Sequence, residues 1–355
     1  MEIASEMKQF LNLYSESLKH FTLCIVCNKK SGLSSSIEKS SEYFSDDEFE
    51  EIVSMFSTLD MEMEFFLNED DFIKFILKDQ SSRRFVVYNA AQSGNGPGRK
   101  SLIPAFCNLH EIPVAGSNAY VVALCRHKYH TNRLLSAANF PVPFSSVYTD
   151  KINDQYLPFE NQKIILKPIY ESASIGIDVN SIIIFTLEER IKELIKKKQE
   201  SLKQPIMLQQ FIDGYEVEIP VFSYRKRVVC FHPIGISLDS NYYMGDRILD
   251  YESVYFDRYN FYDFQTIDIP KEKLIKTAKE VTLYLGIEGL GRIDFRIGKK
   301  GDFYITDVST NPHFVKHSSI HYAFKQSSMC ENNIARAIVC GALSKMNIDY
   351  VSAQN

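Results

Sequence analysis

The sequence contains no run of 18 apolar residues, the approximate length of a membrane-spanning helix. Its first ten residues, MEIASEMKQF, carry charges and lack the apolar core of a signal peptide. It also lacks an excess of basic residues, since its formal net charge is −5, which argues against a general nucleic-acid or membrane-surface binder. We therefore expect a cytoplasmic protein with neither a nucleic-acid nor a membrane partner.

A disulfide framework is also missing, because the seven cysteines are widely spread and odd in number. Cys24 and Cys27 form a CxxC within the apolar run FTLCIVC, and no second pair accompanies them. We predict a pair of buried strand residues here, with a metal or redox pair as the alternative. The cysteine pattern fits a reducing compartment.

The 355 residues exceed one ordinary core and indicate two or three domains. The composition, 45% apolar and 24% charged, is typical of a globular protein. We predict an α/β (α+β) protein with three domains, at residues 1–120, 121–212 and 213–355.

In the first of these, strand and helix patterns alternate, which predicts a parallel sheet. Residues 31–45, rich in serine and glutamate, are predicted to form a loop. One helix is predicted over 123–140. A capping box formed by Thr186 and Glu189 is predicted to start another. Residues 239–261 are predicted to form a long aromatic and polar loop.

Two segments near the C-terminus form the most informative functional unit. Residues 291–309 predict two antiparallel strands joined by the turn GKKGD, which places Asp294 and Asp307 close together and facing the same way. Two carboxylates with a nearby oxygen from Ser309 or Asn311 are a hard-oxygen set suited to Mg²⁺. The alternative is a surface hairpin with two solvated acids.

Two cations accompany this unit. Arg292 lies two residues before Asp294 and so shares its strand face, where a cation would stabilise charge developing during phosphoryl transfer. Lys167 ends a predicted strand before the small-residue loop 171–177, where backbone N–H groups approach phosphate oxygens closely. Neither GxxxxGK[ST] nor GxGxxG is present, so an ordinary strand-loop-strand is the alternative here.

Residues 208–218, LQQFIDGYEVE, predict a strand that leads into a linker. Such a segment offers backbone groups to an adenine edge, and Glu216 is placed to accept from ribose hydroxyls. A plain hinge between domains is the alternative.

The order of these units resembles the ATP-grasp superfamily, most closely the D-alanine–D-alanine ligase family, over roughly residues 85–325. Residues 171–177, ESASIGI, look like the family's phosphate loop, and MLQQFIDGYEVEIPVF is similar to its adenine hinge. GRIDFRI and ITDVSTNP are similar to its "R-x-D-F" and "[NL]-E-[IV]-N-T-x-P-G" metal strands. The resemblance implies a three-domain ATP-grasp fold that phosphorylates one carboxylate with ATP and Mg²⁺, after which an amine attacks the acyl phosphate.

The resemblance also implies roles for individual residues. Those expected to contact ATP are Lys128, Lys167, Ser172, Ser174, Gln209, Gln210, Phe211, Ile212 and Glu216. Those expected to hold Mg²⁺ are Asp294, Asp307 and Ser309 or Asn311. Arg292 would stabilise the transition state, Ser318 would contact the second substrate's carboxylate, and Tyr255 would lie in a loop that closes over the site.

Several positions depart from the family pattern. Asp307 and Ser309 replace the metal strand's usual Glu and Asn, and Ala173 replaces a phosphate-loop serine. His313 replaces a glycine whose backbone helps form the oxyanion site. Its role is open between a catalytic acid or base, an oxyanion donor and a residue that narrows the acceptor pocket, and we favour the last.

Arg99 and Lys100 stand where the family carries acids, at a predicted helix start. Two cations there favour an anionic ligand. Our hypothesis is that they recognise a substrate carboxylate or phosphate, so that the first substrate is not D-alanine. The alternative is a flexible lid with solvated cations.

The sequence thus predicts a ligase that joins two amino acids, or an amino acid and another amine, with release of ADP and phosphate. The alternatives are a D-alanine–D-alanine ligase of cell-wall synthesis and a nucleotide-binding protein that has lost catalysis. Small-molecule carboxylate and amine substrates are the expected partners, and a homodimer is possible.

Overall fold

The computed structural model of the chain describes residues 2–30, 43–149, 159–264, 269 and 271–346. Residues 31–42 of the predicted serine-rich loop lie outside this range. Among the described residues, no helix has the length and apolarity that a membrane span requires.

The N-terminal region builds a three-stranded parallel sheet in the order β2-β1-β3. Its strands are β1 (Thr22–Val26), β2 (Glu62–Phe66) and β3 (Phe85–Asn89). Its helices are α1 (Glu2–Tyr14), α2 (Asp46–Ser57), α3 (Glu69–Lys78) and α4 (Leu102–Leu109). The expected parallel sheet is confirmed. Cys24 and Cys27 are both buried, as predicted. Cys24 lies in β1, the central strand, whereas Cys27 follows the end of that strand at Val26, so the prediction of a strand residue is wrong for Cys27.

The middle region builds a four-stranded antiparallel sheet in the order β4-β7-β5-β6. Its strands are β4 (Ser145–Val147), β5 (Lys163–Pro168), β6 (Ile182–Ile184) and β7 (Ile206–Gln210). Helix α7 (Glu189–Leu202) packs Ile191 and Ile195 against it.

The predicted capping box at this helix is wrong. Glu188 holds the N-cap position with an extended backbone and no side-chain cap, so the helix begins two residues later than the box requires. The Thr186 hydroxyl is buried instead and makes no hydrogen bond.

The single helix predicted over 123–140 is two helices, α5 (Ala119–Arg126) and α6 (Lys128–Ala137). His127 breaks them with a non-helical backbone, and its ring nitrogen accepts a hydrogen bond from the His130 amide. The Lys128 amide then bonds the Ile169 carbonyl over 3.1 Å. The break therefore positions Lys128 beside the segment that follows β5.

The C-terminal region builds a six-stranded antiparallel sheet in the order β11-β10-β8-β12-β13, with β9 paired to β8. Its strands are β8 (Tyr215–Tyr224), β9 (Arg227–Cys230), β10 (Ile234–Leu238), β11 (Tyr259–Asp263), β12 (Gly289–Ile297) and β13 (Phe303–Ser309). Its helices are α8 (Tyr251–Tyr255), α9 (Lys271–Leu285), α10 (Ser319–Gln326) and α11 (Asn332–Leu343). The predicted 239–261 loop thus contains a short helix and most of an edge strand.

Apolar packing joins the parallel sheet to the six-stranded sheet. The largest apolar cluster joins α1, the parallel sheet and α11 to Phe222 of β8. Helices α5 and α6 pack instead with α9 and the six-stranded sheet. The three sheets lie within the three predicted segments, and the boundaries at 120 and 212 stay predictions.

We expect Phe10→Ala to lower the free energy of unfolding by about 3–5 kcal/mol. The Phe10 ring is 1% exposed and lies 4.9 Å from the Phe222 ring and 4.2 Å from the Tyr224 ring, centroid to centroid. The matched control is Leu13→Ala in the same helix, where the side chain is 72% exposed and the cost is expected below about 0.5 kcal/mol. Urea unfolding followed by circular dichroism measures both, and equal losses would contradict the packing described.

Candidate active site

A cavity of about 700 Å³ lies between the four-stranded and six-stranded sheets and reaches the parallel sheet. Of the nineteen site residues predicted from sequence, eighteen line it. They are Lys100, Lys128, Lys167, Ser172, Ser174, Gln209, Gln210, Phe211, Ile212, Glu216, Tyr255, Arg292, Asp294, Asp307, Ser309, Asn311, His313 and Ser318. The exception is Arg99. Residues scattered over more than 200 positions are thus brought to one concave surface.

The paired strands β12 and β13 form one wall. Asp294 stands directly opposite Asp307 in the register, as predicted. Arg292 bonds both Asp294 carboxylate oxygens, over 2.7 and 2.8 Å. A β-bulge beside this pair leaves Thr306 as the extra residue of β13, and the Thr306 carbonyl accepts from Lys167 Nζ over 3.4 Å.

Two lysines converge on this wall. The Lys128 ammonium pairs with the Asp307 carboxylate. Burial opposes ionisation of Asp307, but the Lys128 charge outweighs it together with weaker partners, so the pKa of Asp307 lies below its ordinary value. Burial, reinforced by the Lys128 charge, lowers the pKa of Lys167 to about 8. The two ammonium groups form a cationic site suited to a polyanion.

The loop after β5 has the backbone geometry of an anion-binding turn. Ala173, Ser174 and Gly176 adopt positive φ angles of 50°, 54° and 71°. Such turns direct successive N–H groups into one concavity. The Ser174 hydroxyl donates to the Leu249 carbonyl over 2.7 Å, and the Ser172 hydroxyl accepts from Arg126 over 2.7 Å. These contacts hold the loop against its neighbours.

Arg99 helps to hold this loop in place. Its guanidinium donates to the Glu171 carboxylate over 2.8 Å, and Gln204 donates to the same carboxylate over 2.7 Å. Arg126 lies 3.7 Å from the same carboxylate. The structure therefore separates Arg99 from Lys100, which does line the cavity.

An arginine that the sequence analysis missed organises the hinge. Arg296 pairs with Glu216 over 2.9 Å and lies 5.1 Å from the Phe211 ring. It also donates to the carbonyls of Ile212, Gly245 and Arg247. The signal was present, because Arg296 follows Arg292 and Asp294 at the spacing of two that keeps side chains on one strand face.

Glu218 was missed as well. It lies two residues after Glu216 on β8 and opposite Asp294 in the register. Arg292 lies 3.1 Å from its carboxylate. Burial raises the pKa of Glu218 to about 7, and the Arg292 charge offsets only part of that effect. The available signal was the segment EVE, in which Glu216 and Glu218 are two residues apart and so share one strand face.

Three further predicted residues, Ser318, His313 and Tyr255, also line the cavity. Ser318 is buried and caps α10, since its hydroxyl accepts from the His321 amide over 3.1 Å. His313 lies 3.5 Å from Glu48 of α2 and stacks on Phe44. Tyr255 is 57% exposed at the end of α8 and stacks on Tyr251.

A family model for the C-terminus of D-ala D-ala ligases matches residues 150–339, more than half of the 355 residues. The chain belongs to the D-ala D-ala ligase family. This membership confirms the resemblance, the ATP-grasp fold and the enzyme class, an ATP-dependent ligase that forms a C–N bond.

Curated relatives agree. The chain is 24% identical over 258 residues to the D-alanine–D-alanine ligase of Trichlorobacter lovleyi, covering 70% of this chain and 75% of the relative. It is 25% identical over 281 residues to the D-alanine–D-alanine ligase of Pseudomonas putida strain GB-1, covering 78% and 81%.

Solved structures share the fold. The D-alanine–D-alanine ligase of Bacillus anthracis in complex with ATP superposes with a TM-score of 0.68 at 15% identity, covering 91% of this chain and 97% of that one. The VanG D-Ala:D-Ser ligase of Enterococcus faecalis gives a TM-score of 0.65 at 16% identity, covering 91% and 100%.

The donor set at the metal strands suits Mg²⁺ only together with a nucleotide. Within the described ranges, no three His, Cys, Asp or Glu side chains converge as a metal site. Asp294 and Asp307 are two hard-oxygen ligands on facing positions, and Mg²⁺ is often held by one or two carboxylates plus substrate phosphates. The Asn311 amide nitrogen donates to the Asn89 carbonyl over 3.0 Å, which turns that group towards the parallel sheet.

We expect Arg296→Lys to destabilise the protein by about 1–3 kcal/mol, because a lysine does not reproduce the fork that reaches Glu216 and three carbonyls. Arg258→Lys is the control, since Arg258 is 54% exposed in its side chain and pairs with Glu252 in solvent. Urea unfolding compares the two variants. A loss no larger than that of the control would show that the Arg296 network contributes little.

Proposed function

We propose that this protein phosphorylates a carboxylate with ATP and joins the resulting acyl phosphate to an amine, with release of ADP and phosphate. The observation that carries the proposal is the convergence of Lys128, Lys167, Arg292, Asp294 and Asp307 on one cavity wall. A cation pair, a carboxylate pair and an arginine are the parts that phosphoryl transfer requires.

The nucleotide is proposed to lie across the hinge. Gln209, Gln210, Phe211 and Ile212 would border the adenine, and Glu216, held by Arg296, would accept from the ribose. The triphosphate would reach the two lysines and the loop of Ser172 and Ser174. A polyanion there would draw Lys128 from Asp307 and release that carboxylate for a metal.

Asp294 and Asp307 would hold Mg²⁺, with Ser309 or the Asn311 oxygen completing the set. Bound there, Mg²⁺ would neutralise charge on the transferring phosphoryl group. Arg292 is anchored by two carboxylates, so its guanidinium is held in place before charge develops. A preorganised cation of this kind stabilises the transition state without rearranging.

The substrates would bind around Tyr255, His313 and Ser318, with Lys100 on the side of the parallel sheet. Arg99 as a substrate ligand stays a prediction, and its pair with Glu171 favours a role in holding the phosphate loop. The names of the relatives support D-alanine as a substrate, so a D-alanine–D-alanine ligase is the second candidate. A homodimer also stays a prediction.

Two assays test the proposal. ADP release is measured with Mg²⁺, ATP and single or paired amino acids and amines, including D-alanine, and hydroxylamine is added to trap any acyl phosphate as a hydroxamate. Hydroxamate that depends on one carboxylic acid would support the ligase. ATP binding with no ADP release and no hydroxamate for any acid would favour a nucleotide binder that has lost catalysis.

We expect Arg292→Lys to reduce hydroxamate formation by about 100-fold or more, because one ammonium does not replace the anchored guanidinium. ATP affinity, measured by calorimetry, should change little. Arg258→Lys serves again as the control. Comparable turnover in both variants would remove Arg292 from the reaction.

The pKa of Lys167 predicts how ATP binding depends on pH. The pKa of the Lys167 ammonium falls from its ordinary value of 10.5 to about 8 in the free protein. Bound phosphate would favour the charged form of this group. Above pH 8, binding should therefore take up close to one proton and weaken by up to about tenfold per pH unit. Between pH 8 and 10.5 the free protein should gain stability as pH rises, because there only the unfolded chain holds the proton.

Calorimetry in buffers of different ionisation enthalpy at pH 9 measures the proton uptake. Lys167→Met should abolish it, and Lys192→Met, in α7 where Lys192 pairs with Glu189, should retain it. Equal uptake in the two variants would assign the proton to another group.

A further inference from the structure

The phosphate loop begins at a carboxylate that groups from three regions surround. Glu171 accepts from Arg99 over 2.8 Å and from Gln204 over 2.7 Å, and Arg126 lies 3.7 Å from it. Arg99 belongs to the segment after β3, Gln204 to the turn before β7, and Arg126 is the last residue of α5. The Glu171 side chain, 14% exposed, therefore ties these regions to the start of the loop.

Arg126 divides its guanidinium between this carboxylate and the loop itself. Its Nη1 donates to the Ser172 hydroxyl over 2.7 Å, whereas its Nη2 lies 3.7 Å from Glu171. Arg99 makes the shorter contact with Glu171, which leaves Arg126 available to Ser172. Without Arg99, the Glu171 charge would attract Arg126, because a poorly solvated carboxylate requires a cationic partner. The contact between Arg126 and Ser172, and with it the position of the loop, therefore depends on Arg99.

The segment that carries Arg99 is fixed to the parallel sheet at its other end. The Ser93 amide and hydroxyl donate to Glu69 over 2.6 and 2.7 Å, and the Gln92 amide donates to the Asn28 side chain over 2.7 Å. Glu69 opens α3 and is 4% exposed, and Asn28 follows β1 and is 5% exposed. Buried polar networks of this kind make a segment rigid. This segment therefore connects the parallel sheet to the phosphate loop.

Two adjacent cations of the segment face different sites. Lys100 lines the cavity, whereas Arg99 lies outside the cavity lining and faces the phosphate loop. The Asn89 amide of β3 donates to the Lys100 carbonyl over 3.4 Å. A substrate anion at Lys100 would hold this segment in place, and the same segment holds the phosphate loop through Arg99. The two ligand positions thus share one support.

We propose that Arg99 is a positioning residue for the phosphate loop, and that it couples the binding of an anionic donor substrate at Lys100 to the binding of ATP. The Arg99 guanidinium acts through Glu171 and touches neither ligand. The coupling rests on the proposed ligase function, because that function supplies the carboxylate donor. The positioning of the loop does not rest on it, since ATP binding tests the loop without any reaction.

The positioning is measured by calorimetry with Mg²⁺ and adenylyl imidodiphosphate, an ATP analogue that resists hydrolysis, in the absence of other substrates. We expect Arg99→Gln to raise the Kd of the analogue by at least about tenfold, because the loop loses a charged contact. Arg99→Lys keeps the charge without the planar fork and should restore part of the affinity. The control is Arg83→Gln, which removes an arginine paired with Glu64 and Asp79 outside the cavity and should leave the Kd unchanged.

A double variant identifies the route. In a protein that already carries Glu171→Gln, the addition of Arg99→Gln should raise the Kd by less than about twofold, because residues that act through one shared contact are not additive. Equal losses in the two backgrounds would mean that Arg99 acts on the nucleotide by another route, and would overturn the inference. So would a lower melting temperature with an unchanged Kd, since the pair would then have a structural role alone.

The coupling is measured with the carboxylic acid that the hydroxamate assay identifies. A saturating concentration of that acid should lower the Kd of the analogue by about fivefold or more in the unmodified protein. The effect should disappear in Arg99→Gln and persist in Arg83→Gln. If the acid does not tighten binding of the analogue in the unmodified protein, the coupling is wrong, whatever the variants do.

Two further outcomes separate the inference from the ligase proposal. A higher KM for the acid in Arg99→Gln with an unchanged Kd for the analogue would make Arg99 a substrate ligand. That result would overturn the inference and leave the ligase proposal standing. Absence of hydroxamate with every acid would overturn the ligase proposal and the coupling with it, while calorimetry without acid would still decide whether Arg99 positions the loop.

Discussion

The ion pairing of Arg292 is the interaction on which the site depends. Strand β12 lies between β8 and β13, and their registers align Glu218, Asp294 and Asp307 in one row across three strands. Three adjacent carboxylates at a buried surface repel one another and lose hydration. Arg292 compensates two of them, and Lys128 compensates the third. Without these cations, burial of the three carboxylates would cost too much free energy for the protein to fold.

The same cations connect elements that are distant in the chain. Lys128 opens a helix that follows the parallel sheet, yet its partner Asp307 is on the six-stranded sheet. Lys167 crosses from the four-stranded sheet to the Thr306 carbonyl. The cavity walls are thus held together by contacts that a phosphate chain would compete for. Ligand binding at this site would accordingly rearrange charge pairs that also join the three sheets.

The two ends of the cavity differ in charge. Near the hinge and the phosphate loop, lysines and turned backbone amides suit a nucleotide. Around Tyr259, carboxylates dominate and the helix N-terminus is already compensated by Glu218. The two ends of the cavity therefore suit ligand groups of different charge.

The sequence by itself determined the features that depend on local periodicity. Spacing of two along β12 placed Arg292 and Asp294 on one face, and the turn GKKGD brought Asp307 opposite them. The family and the fold followed from the order of such units. The positions of helix ends were predicted less well. Thr186 did not cap its helix, and His127 interrupted a helix that was predicted to be continuous. Each outcome depended on contacts made after folding.

Only the tertiary structure decided the partners of the long side chains. Arg99 pairs with Glu171, Arg296 pairs with Glu216, and Glu218 lies opposite Asp294. Along the chain, Glu171 is 72 residues from Arg99, and Glu216 is 80 residues from Arg296. Strand register and sheet order set those distances, and neither is written in the local pattern of apolar and polar residues. The spacing of side chains along a strand indicates which face a residue occupies. The electrostatic role of that residue depends on the strand or helix against which the face packs.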